Sequence, residues 1–364
     1  MNDRNRKTDT NEIDSRKQPL WYSGRYFDYP LFGIVLGLVL FGLVMVYSTS
    51  SYRADELYDD STYFAKRQLV FELVALVGMF LVSKIDYRRY ARYSKYFLYV
   101  AIALLVLVYI IGSASHGSTR WIYIGAFGFQ PSEFAKLALI VYTADICTRK
   151  PRSLNTIKGL AKMLLLPLIT IVLIIVFVAS PKNWHFILMG VLGILMCVVF
   201  IATAGYRADR IRIWLAPEKY DDGYQTMQSL YAIGSGGFFG RGLGNSIQKM
   251  GFIPESHNDM IFSVICEELG LFGAVLTIIM FILLIYRCTV LAINSGDRFG
   301  GLIAVGVMAH IAVQVLINIS VVTNTIPPTG VPLPFISYGG SSIFFLLLEM
   351  GLMFAVARQI KPGR

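Results

Sequence analysis

The sequence predicts an all-α, polytopic membrane protein. Of its 364 residues, 55% are hydrophobic and only 15% are charged, and the mean hydropathy is +0.58. The apolar residues form blocks of about 17 to 25 residues, which is the length of helix that crosses a bilayer. A block such as 31–47 lacks the polar alternation of a membrane β-barrel, so helices are the predicted spanning elements.

Nine blocks have this character. They cover residues 30–49, 68–83, 96–112, 131–147, 161–179, 185–204, 259–286, 300–321 and 341–358. The polar residues 1–25 lack the apolar core of a signal peptide and predict a disordered cytoplasmic tail, followed by a single membrane domain over 26–364. Segment 205–258 is longer than a connector needs and rich in Gly, charged and aromatic residues, which predicts a folded active-site or binding loop.

Basic residues cluster beside the apolar blocks, which is the positive-inside pattern of membrane proteins. The net charge of +10 therefore indicates topology and not nucleic-acid binding. The pattern predicts a cytoplasmic N-terminus. Four acidic residues predict that segment 53–67 lies outside, namely Asp55, Glu56, Asp59 and Asp60.

Nine spans conflict with this charge pattern. They would put loop 205–258 inside and the C-terminus outside, although Arg287, Arg298 and Arg358 favour the inner side for their segments. The conflict disappears if region 160–204 crosses the membrane an odd number of times, through a re-entrant segment, or if the chain has lost a span.

The cysteines predict no metal site and no disulfide framework. All four lie in or at the ends of apolar blocks without CxxC spacing, so they are predicted to be packing residues: Cys147, Cys197, Cys266 and Cys288.

The first polar constellation lies before the fourth block. Pro131 suits the first position of a helix, and Glu133 and Lys136 would then lie one turn apart, able to form an ion pair. This pair is either structural or part of a site. Arg120 and Trp121, just outside, could hold an anionic group or a sugar face, or anchor the membrane interface.

The second constellation is the long loop, which has six glycines within residues 234–244 and carries Arg241 and Lys249. It does not match a P-loop. The glycines allow a close approach to a ligand or sharp turns in a flexible re-entrant loop. Asp259 follows at the predicted first turn of a helix, where it is an N-cap or a general base. His257, two residues away, could serve instead or be a bystander.

The third constellation is segment 327–342, in which prolines and glycines are too dense for a regular span. Irregular backbone at membrane depth is tolerated where it is buried in protein or lines a cavity. We therefore predict a cavity lining, with a structural loop as the alternative. Asn318, Asn324 and Ser337 supply polar contacts, and Glu267 and Glu268 are predicted to join helices.

Taken together, these stretches resemble the SEDS family of cell-wall glycosyltransferases (FtsW, RodA and SpoVE). The motif TGVPLPFISYGGSS at 329–342 is highly specific to that family. The segments QSLYAIGSGG at 228–237 and GLGNSIQK at 242–249 look more like the FtsW/SpoVE branch than RodA. The resemblance runs from about residue 31 to residue 358.

The resemblance implies a ten-helix membrane fold with an external loop before Asp259. It implies polymerisation of lipid II, a disaccharide-pentapeptide on undecaprenyl pyrophosphate, at the outer face of the cytoplasmic membrane. Asp259 matches the family's essential aspartate, taken to deprotonate the acceptor sugar hydroxyl. Arg120, Arg241 and Lys249 are candidates for the pyrophosphate, while Glu133 and Lys136 match cavity positions. Trp121, His257 and Ser337 complete the predicted substrate-binding set.

The resemblance implies no certain cofactor. A divalent cation, Mg²⁺ or Mn²⁺, is compatible with pyrophosphate chemistry, but the sequence shows no dedicated ligand set. The implied partner is a single-span class B penicillin-binding protein with transpeptidase activity, within the division or elongation machinery.

One departure from the family pattern concerns residues 164–180, which resemble the start of the family's fifth span and the end of its sixth. The short polar motif between those spans is missing, which predicts an internal deletion. Two other functions stay open: a lipid II flippase, which the many spans and a polar cavity favour, and a scaffold that recruits the transpeptidase without catalysis, which the missing span favours.

Overall fold

We describe the fold from a computed structural model. The structure describes residues 27–111, 113–115, 118–124, 127–149, 213–220 and 223–360. Eight α-helices lie in this part of the chain: α1 Tyr29–Tyr58, α2 Tyr63–Lys84, α3 Arg88–Ile111, α4 Pro131–Arg149, α5 Tyr224–Ser235, α6 Ile261–Ile293, α7 Arg298–Val322 and α8 Gly340–Ala357. A 3₁₀ turn covers Pro217–Lys219.

The helices confirm the all-α polytopic class. Five of them are long and apolar enough to cross a membrane, over Tyr29–Tyr58, Arg88–Val108, Ile261–Ile293, Arg298–Val322 and Gly340–Ala357. Helices α2 and α4 occupy two further predicted blocks. The blocks at 161–179 and 185–204, and the predicted tail at 1–25, lie outside the described residues.

Helix α1 is longer than its apolar block. It continues through the charged residues after position 49, where Arg53 and Glu56 form an i,i+3 ion pair at 2.6 Å that supports the extra turns. The helix ends at Asp59, whose φ of 53° is left-handed and whose N–H donates to Asp55 O. Segment 53–67, predicted to be an external loop, is therefore largely helical.

One end of the bundle, the basic end, contains the starts of α1, α3 and α7 and the ends of α2, α4, α6 and α8. Polar contacts join these termini. Arg287 on α6 pairs with Asp28 at 2.7 Å, and Arg88 on α3 pairs with Asp297 at 2.8 Å. Gln359 donates to Asp86 at 2.9 Å. Asp28 and Asp297 also cap α1 and α7, so each acidic residue satisfies a helix terminus and an arginine together.

The opposite end, the loop end, contains the long loop and segment 323–339. Ser256 Oγ donates to Thr49 O near the end of α1 at 3.1 Å, and Trp214 Nε1 donates to Asn324 O after α7 at 2.9 Å. The described chain thus stops after Arg149 at the basic end and resumes at residue 213 at the loop end.

A three-stranded antiparallel sheet follows α3 at the loop end. Its strands are β1 Ser113–Ser115, β2 Ser118–Ile124 and β3 Phe127–Phe129, in the order β1-β2-β3. The sequence predicted only an irregular stretch here. Helix α4 begins at Pro131, as predicted.

Helix α8 forms the centre of the bundle. In the most apolar 18-residue stretch of α8, 78% of the residues are buried, whereas this share is 28–44% in the other four candidate spans. A Cβ added to Gly351 of α8 would lie 2.8 Å from Met79 O of α2, so the missing side chain lets these two helices approach closely. The core therefore forms around α8, with the lipid-facing surface on the other helices.

The arrangement predicts the side of the membrane from which each end can be reached. In a chain without its native cysteines, Glu218→Cys at the loop end should react with a membrane-impermeant thiol reagent added outside intact cells. Asn294→Cys, between α6 and α7 at the basic end, should react only after the cells are permeabilised. Both positions are exposed. The reverse labelling pattern would contradict the external placement of the loop end.

Candidate active site

The long loop is joined to helix α6 where Gly270 interrupts the helix. In an unbroken α-helix, the N–H groups of Leu271 and Phe272 would donate to the carbonyls of residues 267 and 268. Here Leu271 N donates to Gly237 O at 2.9 Å and Phe272 N to Phe238 O at 3.1 Å. The two carbonyls released accept from the loop in turn: Arg241 N donates to Glu267 O and Gly242 N to Glu268 O, both at 2.9 Å. We call these four hydrogen bonds the Gly270 clasp.

Two glycines make this close approach possible. Gly270 has φ 67°, and a Cβ there would lie 2.3 Å from Gly240 N. Gly240 has φ 75°, and its Cβ would lie 2.1 Å from Glu268 O. Both the left-handed backbone and the lack of space exclude larger residues. At these two positions the glycines allow the loop backbone to contact α6, a role that was not among those predicted for them.

Glu267 is completely buried and binds the following part of the loop. Its carboxylate accepts from Ser246 Oγ, from Ile247 N at 3.0 Å and from Gln248 N at 3.3 Å. It also pairs with Arg241 Nη1 at 3.2 Å. A buried carboxylate requires such donors, because an unpaired one would be strongly destabilising.

Glu268 is also completely buried and joins the loop to α1. Lys249 Nζ lies 2.7 Å from its Oε1, and Ser48 Oγ of α1 donates to the same carboxylate at 2.7 Å. Lys249 Nζ lies 3.1 Å from Ser48 Oγ. Glu267 and Glu268 therefore hold the loop against α6 and α1, which is a wider role than the predicted contact between helices.

The two predicted pyrophosphate ligands of the loop differ in exposure. The Lys249 side chain is 3% exposed and its charge is matched by Glu268. The Arg241 side chain is 39% exposed although it pairs with Glu267. Arg241 therefore retains access to an anion, whereas the geometry of Lys249 is that of a buried structural pair.

Asp259 lies just before helix α6, which begins at Ile261 with Met260 in the capping position. The alternative of an N-cap role for Asp259 is thus wrong. Its carbonyl accepts a hydrogen bond from Asn318 Nδ2 of α7 at 2.7 Å. A Cβ added to Gly330 would lie 3.7 Å from Asp259 Oδ2. The carboxylate is partly buried, next to segment 329–332.

His257 is buried and packs between two aromatic rings. Its ring centroid lies 4.7 Å from that of Phe64 and 5.4 Å from that of Tyr338, and its carbonyl accepts from Tyr338 N at 2.9 Å. The pKa of His257 is lowered to about 4, mainly by burial; the charge of Glu255 opposes this shift and the charge of Arg53 adds to it. The imidazole is therefore neutral at pH 7 and carries no charge toward a pyrophosphate.

Segment 327–339 is an ordered turn structure beside Asp259. Ser337 Oγ accepts from Leu333 N at 2.8 Å, so this hydroxyl, predicted to bind substrate, closes a turn of its own segment. Asn318 Nδ2 also donates to Val331 O at 2.8 Å. Leu333, Phe335 and Ile336 are buried and anchor the segment in the core.

The first predicted constellation also lies at the loop end. Glu133 and Lys136 form the expected i,i+3 ion pair at 2.8 Å, with Glu133 almost completely buried. Trp121 lies on β2, with its ring 6.4 Å from that of Tyr123. Arg120 lies on the same strand, but its side chain is outside the described part of the structure. The assignment of these residues to a substrate stays a prediction.

Some contributors were not predicted. These are Ser48 and Ser246, which bind the two glutamates. Asn318, by contrast, was predicted to supply polar contacts, and it holds the backbone of two segments. A run of hydroxyls at 48–51, near the end of the first apolar block, was a signal for Ser48. Across the described ranges, no group of three or more His, Cys, Asp or Glu side chains could hold a metal ion.

The fold and this site define a multi-pass helical membrane protein in which a long loop and a Pro/Gly-rich segment surround an aspartate at one end of the bundle. The chain matches the family described as "Cell cycle protein" (FTSW_RODA_SPOVE) over residues 29–176 and 165–362. It therefore belongs to the FtsW/RodA/SpoVE family, as the sequence motifs predicted.

Relatives support the FtsW/SpoVE branch. The chain is 39% identical to "Stage V sporulation protein E" of Bacillus subtilis (strain 168), covering 89% of this chain and 95% of that protein. It is 37% identical to "Probable peptidoglycan glycosyltransferase FtsW" of Trichlorobacter lovleyi, covering 92% and 94%.

Solved structures show the same fold. A chain from "Structural coordination of polymerization and crosslinking by a peptidoglycan synthase complex" matches with a TM-score of 0.67 and 25% identity, covering 93% of this chain and 100% of that one. The rod shape determining protein RodA of Thermus thermophilus matches with a TM-score of 0.64 and 25% identity, covering 93% and 99%.

The alignment with the Bacillus protein also indicates that this chain lacks some residues that its relative has. The alignment with the Bacillus protein spans 348 positions but covers 89% of 364 residues, which is about 324, so about 24 positions have no residue here. A helix that crosses the bilayer needs about 20 residues. The two family matches share residues 165–176, in the region where the sequence predicted an internal deletion.

The buried Lys249–Glu268 pair predicts an asymmetric effect on stability. Lys249→Met leaves the Glu268 carboxylate buried without its cation and should destabilise the protein by about 3–5 kcal/mol. Glu268→Gln in the same chain removes the unmatched charge, so the double variant should melt at a higher temperature than Lys249→Met alone. Thermal unfolding in detergent measures this. A double variant that melts below both single variants would contradict the pairing.

Proposed function

We propose that this protein is a peptidoglycan glycosyltransferase that polymerises lipid II into glycan strands at the outer face of the cytoplasmic membrane, with Asp259 as general base. The observation that carries the proposal is the placement of Asp259. Its carboxylate is partly buried at the loop end, while its backbone is held by α7. Relatives named as probable peptidoglycan glycosyltransferases, which align over more than nine tenths of the chain, support this reading.

The chemistry requires a base at the acceptor and stabilisation of the leaving group. Asp259 accepts the proton of an acceptor sugar hydroxyl while that oxygen bonds to the anomeric carbon of the donor. The bond from this carbon to the lipid pyrophosphate breaks, and the pyrophosphate leaves with the electron pair. A carboxylate near apolar surface has a raised proton affinity, which suits it to this role.

The negative charge on the departing pyrophosphate is stabilised by cations that the substrate can reach. Arg241 fits this requirement, because its side chain is 39% exposed. Lys136 is 24% exposed and paired with Glu133, so it could face a ligand only as part of that pair. Arg120 stays in the proposal through the family resemblance alone. Mg²⁺ or Mn²⁺ would assist at the pyrophosphate by neutralising charge.

The proposed orientation puts the basic end in the cytoplasm and the loop end outside, following the positive-inside rule. The proposed partner is a class B penicillin-binding protein that cross-links the new glycan. The similar chain of the peptidoglycan synthase complex comes from an assembly that coordinates polymerization and crosslinking, which supports such a pairing.

A second candidate function is a scaffold that recruits the transpeptidase without polymerising. The specific observation in its favour is the deficit of about 24 aligned positions, because the loss of a span could alter the cavity. Within the described residues, Asp259, the Gly270 clasp and both glutamates are in place.

The deciding experiment supplies purified protein, lipid II and the cognate transpeptidase, and follows glycan polymer on a gel. Asp259→Ala should lower polymerisation by about 10²–10⁴-fold, the usual contribution of a general base. Glu255→Gln is the matched control, because it changes an exposed carboxylate of the same loop and should leave the rate nearly unchanged.

Two outcomes would overturn the enzyme assignment. One is polymerisation by Asp259→Ala at the wild-type rate. The other is wild-type protein that binds the transpeptidase but yields no polymer, which would favour the scaffold.

A further inference from the structure

Helix α7 carries a polar stripe on one face: His310, Gln314 and Asn318 are spaced four residues apart. Residues at this spacing lie above one another on a helix. The helix is otherwise strongly apolar and is a candidate span. Polar groups in such a helix are costly unless they find partners inside the protein, so the stripe calls for an explanation.

Each member of the stripe binds a different part of the protein. His310 Nδ1 lies 2.9 Å from Glu349 Oε2 at the middle of α8. Gln314 Nε2 donates to Pro332 O at 3.1 Å. Asn318 Nδ2 donates both to Asp259 O at 2.7 Å and to Val331 O at 2.8 Å. Among these three, only Asn318 reaches the residue proposed as the base.

The Asn318 side chain joins two segments by hydrogen bonds. It is completely buried, and both partners are carbonyl oxygens, which the two donors of its uncharged amide NH₂ serve together. One carbonyl belongs to Asp259 itself. The other belongs to Val331, next to Gly330, where the Asp259 carboxylate lies. A single side chain thus fixes the base and the backbone beside it.

The two hydrogen bonds that Asn318 donates stabilise the fold, but this gain is partly offset. Asn318 Oδ1 is buried and has no hydrogen-bond partner in the described structure, and a buried unsatisfied acceptor is destabilising. The two bonds also fix the position of the Asp259 backbone, which matters because a base must lie within hydrogen-bond reach of the proton it removes.

We propose that Asn318 is a positioning residue for the reaction, which holds Asp259 against segment 330–332 in the geometry that the acceptor hydroxyl requires. The inference rests on the proposed function of Asp259. Asn318 acts through the backbone and not on the substrate. Its loss should therefore slow the chemical step and leave substrate affinity unchanged.

The test compares Asn318→Leu with Gln314→Met in the polymerisation assay with lipid II and the transpeptidase. Gln314→Met is the matched control: it removes a buried amide one turn away that binds Pro332 and not Asp259. A displacement of about 1 Å can cost about 10²-fold in rate. We therefore expect kcat of Asn318→Leu to fall by about 10- to 100-fold, with KM for lipid II within about threefold of wild type. Gln314→Met should retain both values within about threefold.

A second variant guards against misfolding. Asn318→Ala removes the amide donors without adding the bulk of Leu or a buried charge, and it should also lose kcat. Thermal unfolding and transpeptidase binding report whether each variant is folded. A kcat of both Asn318 variants equal to that of Gln314→Met, or a rise in KM with unchanged kcat, would overturn the positioning role.

The two hypotheses fail separately. If Asp259→Ala polymerises normally, the proposed function fails, whatever Asn318 does. If Asp259→Ala is inactive while folded Asn318 variants match the control, only the positioning role fails.

Discussion

The hydrogen bonds exchanged at Gly270 constrain the whole loop end of this protein. A break in a helix normally leaves N–H and C=O groups unsatisfied, which is strongly unfavourable in a buried or lipid environment. Here the loop supplies partners for all four groups. After the break, residues 271–293 still extend about 34 Å, enough to cross the hydrocarbon core of about 30 Å. The part of the helix after the break is therefore long enough to cross the membrane by itself.

The two glutamates extend this attachment from backbone to side chains. Glu267 fixes residues 246–248, and Glu268 fixes Lys249 and reaches Ser48 of α1. The loop is thereby joined to the two antiparallel helices whose opposite ends meet through Asp28 and Arg287. Two cations of the described part of the loop, Arg241 and Lys249, are thereby paired with these glutamates.

Features that depend on residues close together in the sequence were predicted correctly. The spacing of apolar residues gave the helical membrane class, Pro131 marked the start of α4, and the spacing of Glu133 and Lys136 gave their ion pair. The charge pattern favoured an odd number of crossings in region 160–204, which lies outside the described residues, so this stays a prediction. Motif resemblance identified the family.

Long-range contacts were beyond the reach of these patterns. Strands β1 and β3 have three residues each, too few to show alternation, and β2 does not alternate regularly between polar and apolar residues. Gly240 and Gly270 are thirty residues apart, so their contact produces no periodic pattern in the sequence. Glu267 and Glu268 were predicted to join helices, because the sequence does not show that the loop packs against them. Asp259 suited an N-cap by position, but the helix begins at Ile261 and α7 holds the Asp259 backbone.

The most direct test of the central claim, that Lys249 serves to hold the loop in place, is the polymerisation rate of the Lys249→Met, Glu268→Gln double variant. Neutralising both members removes the charge of Lys249 without stranding its partner. If Lys249 is a scaffold residue, the folded double variant should form glycan polymer from lipid II faster than Lys249→Met alone and near the wild-type rate. If Lys249 binds the pyrophosphate, the double variant will be folded and inactive, which would contradict this account.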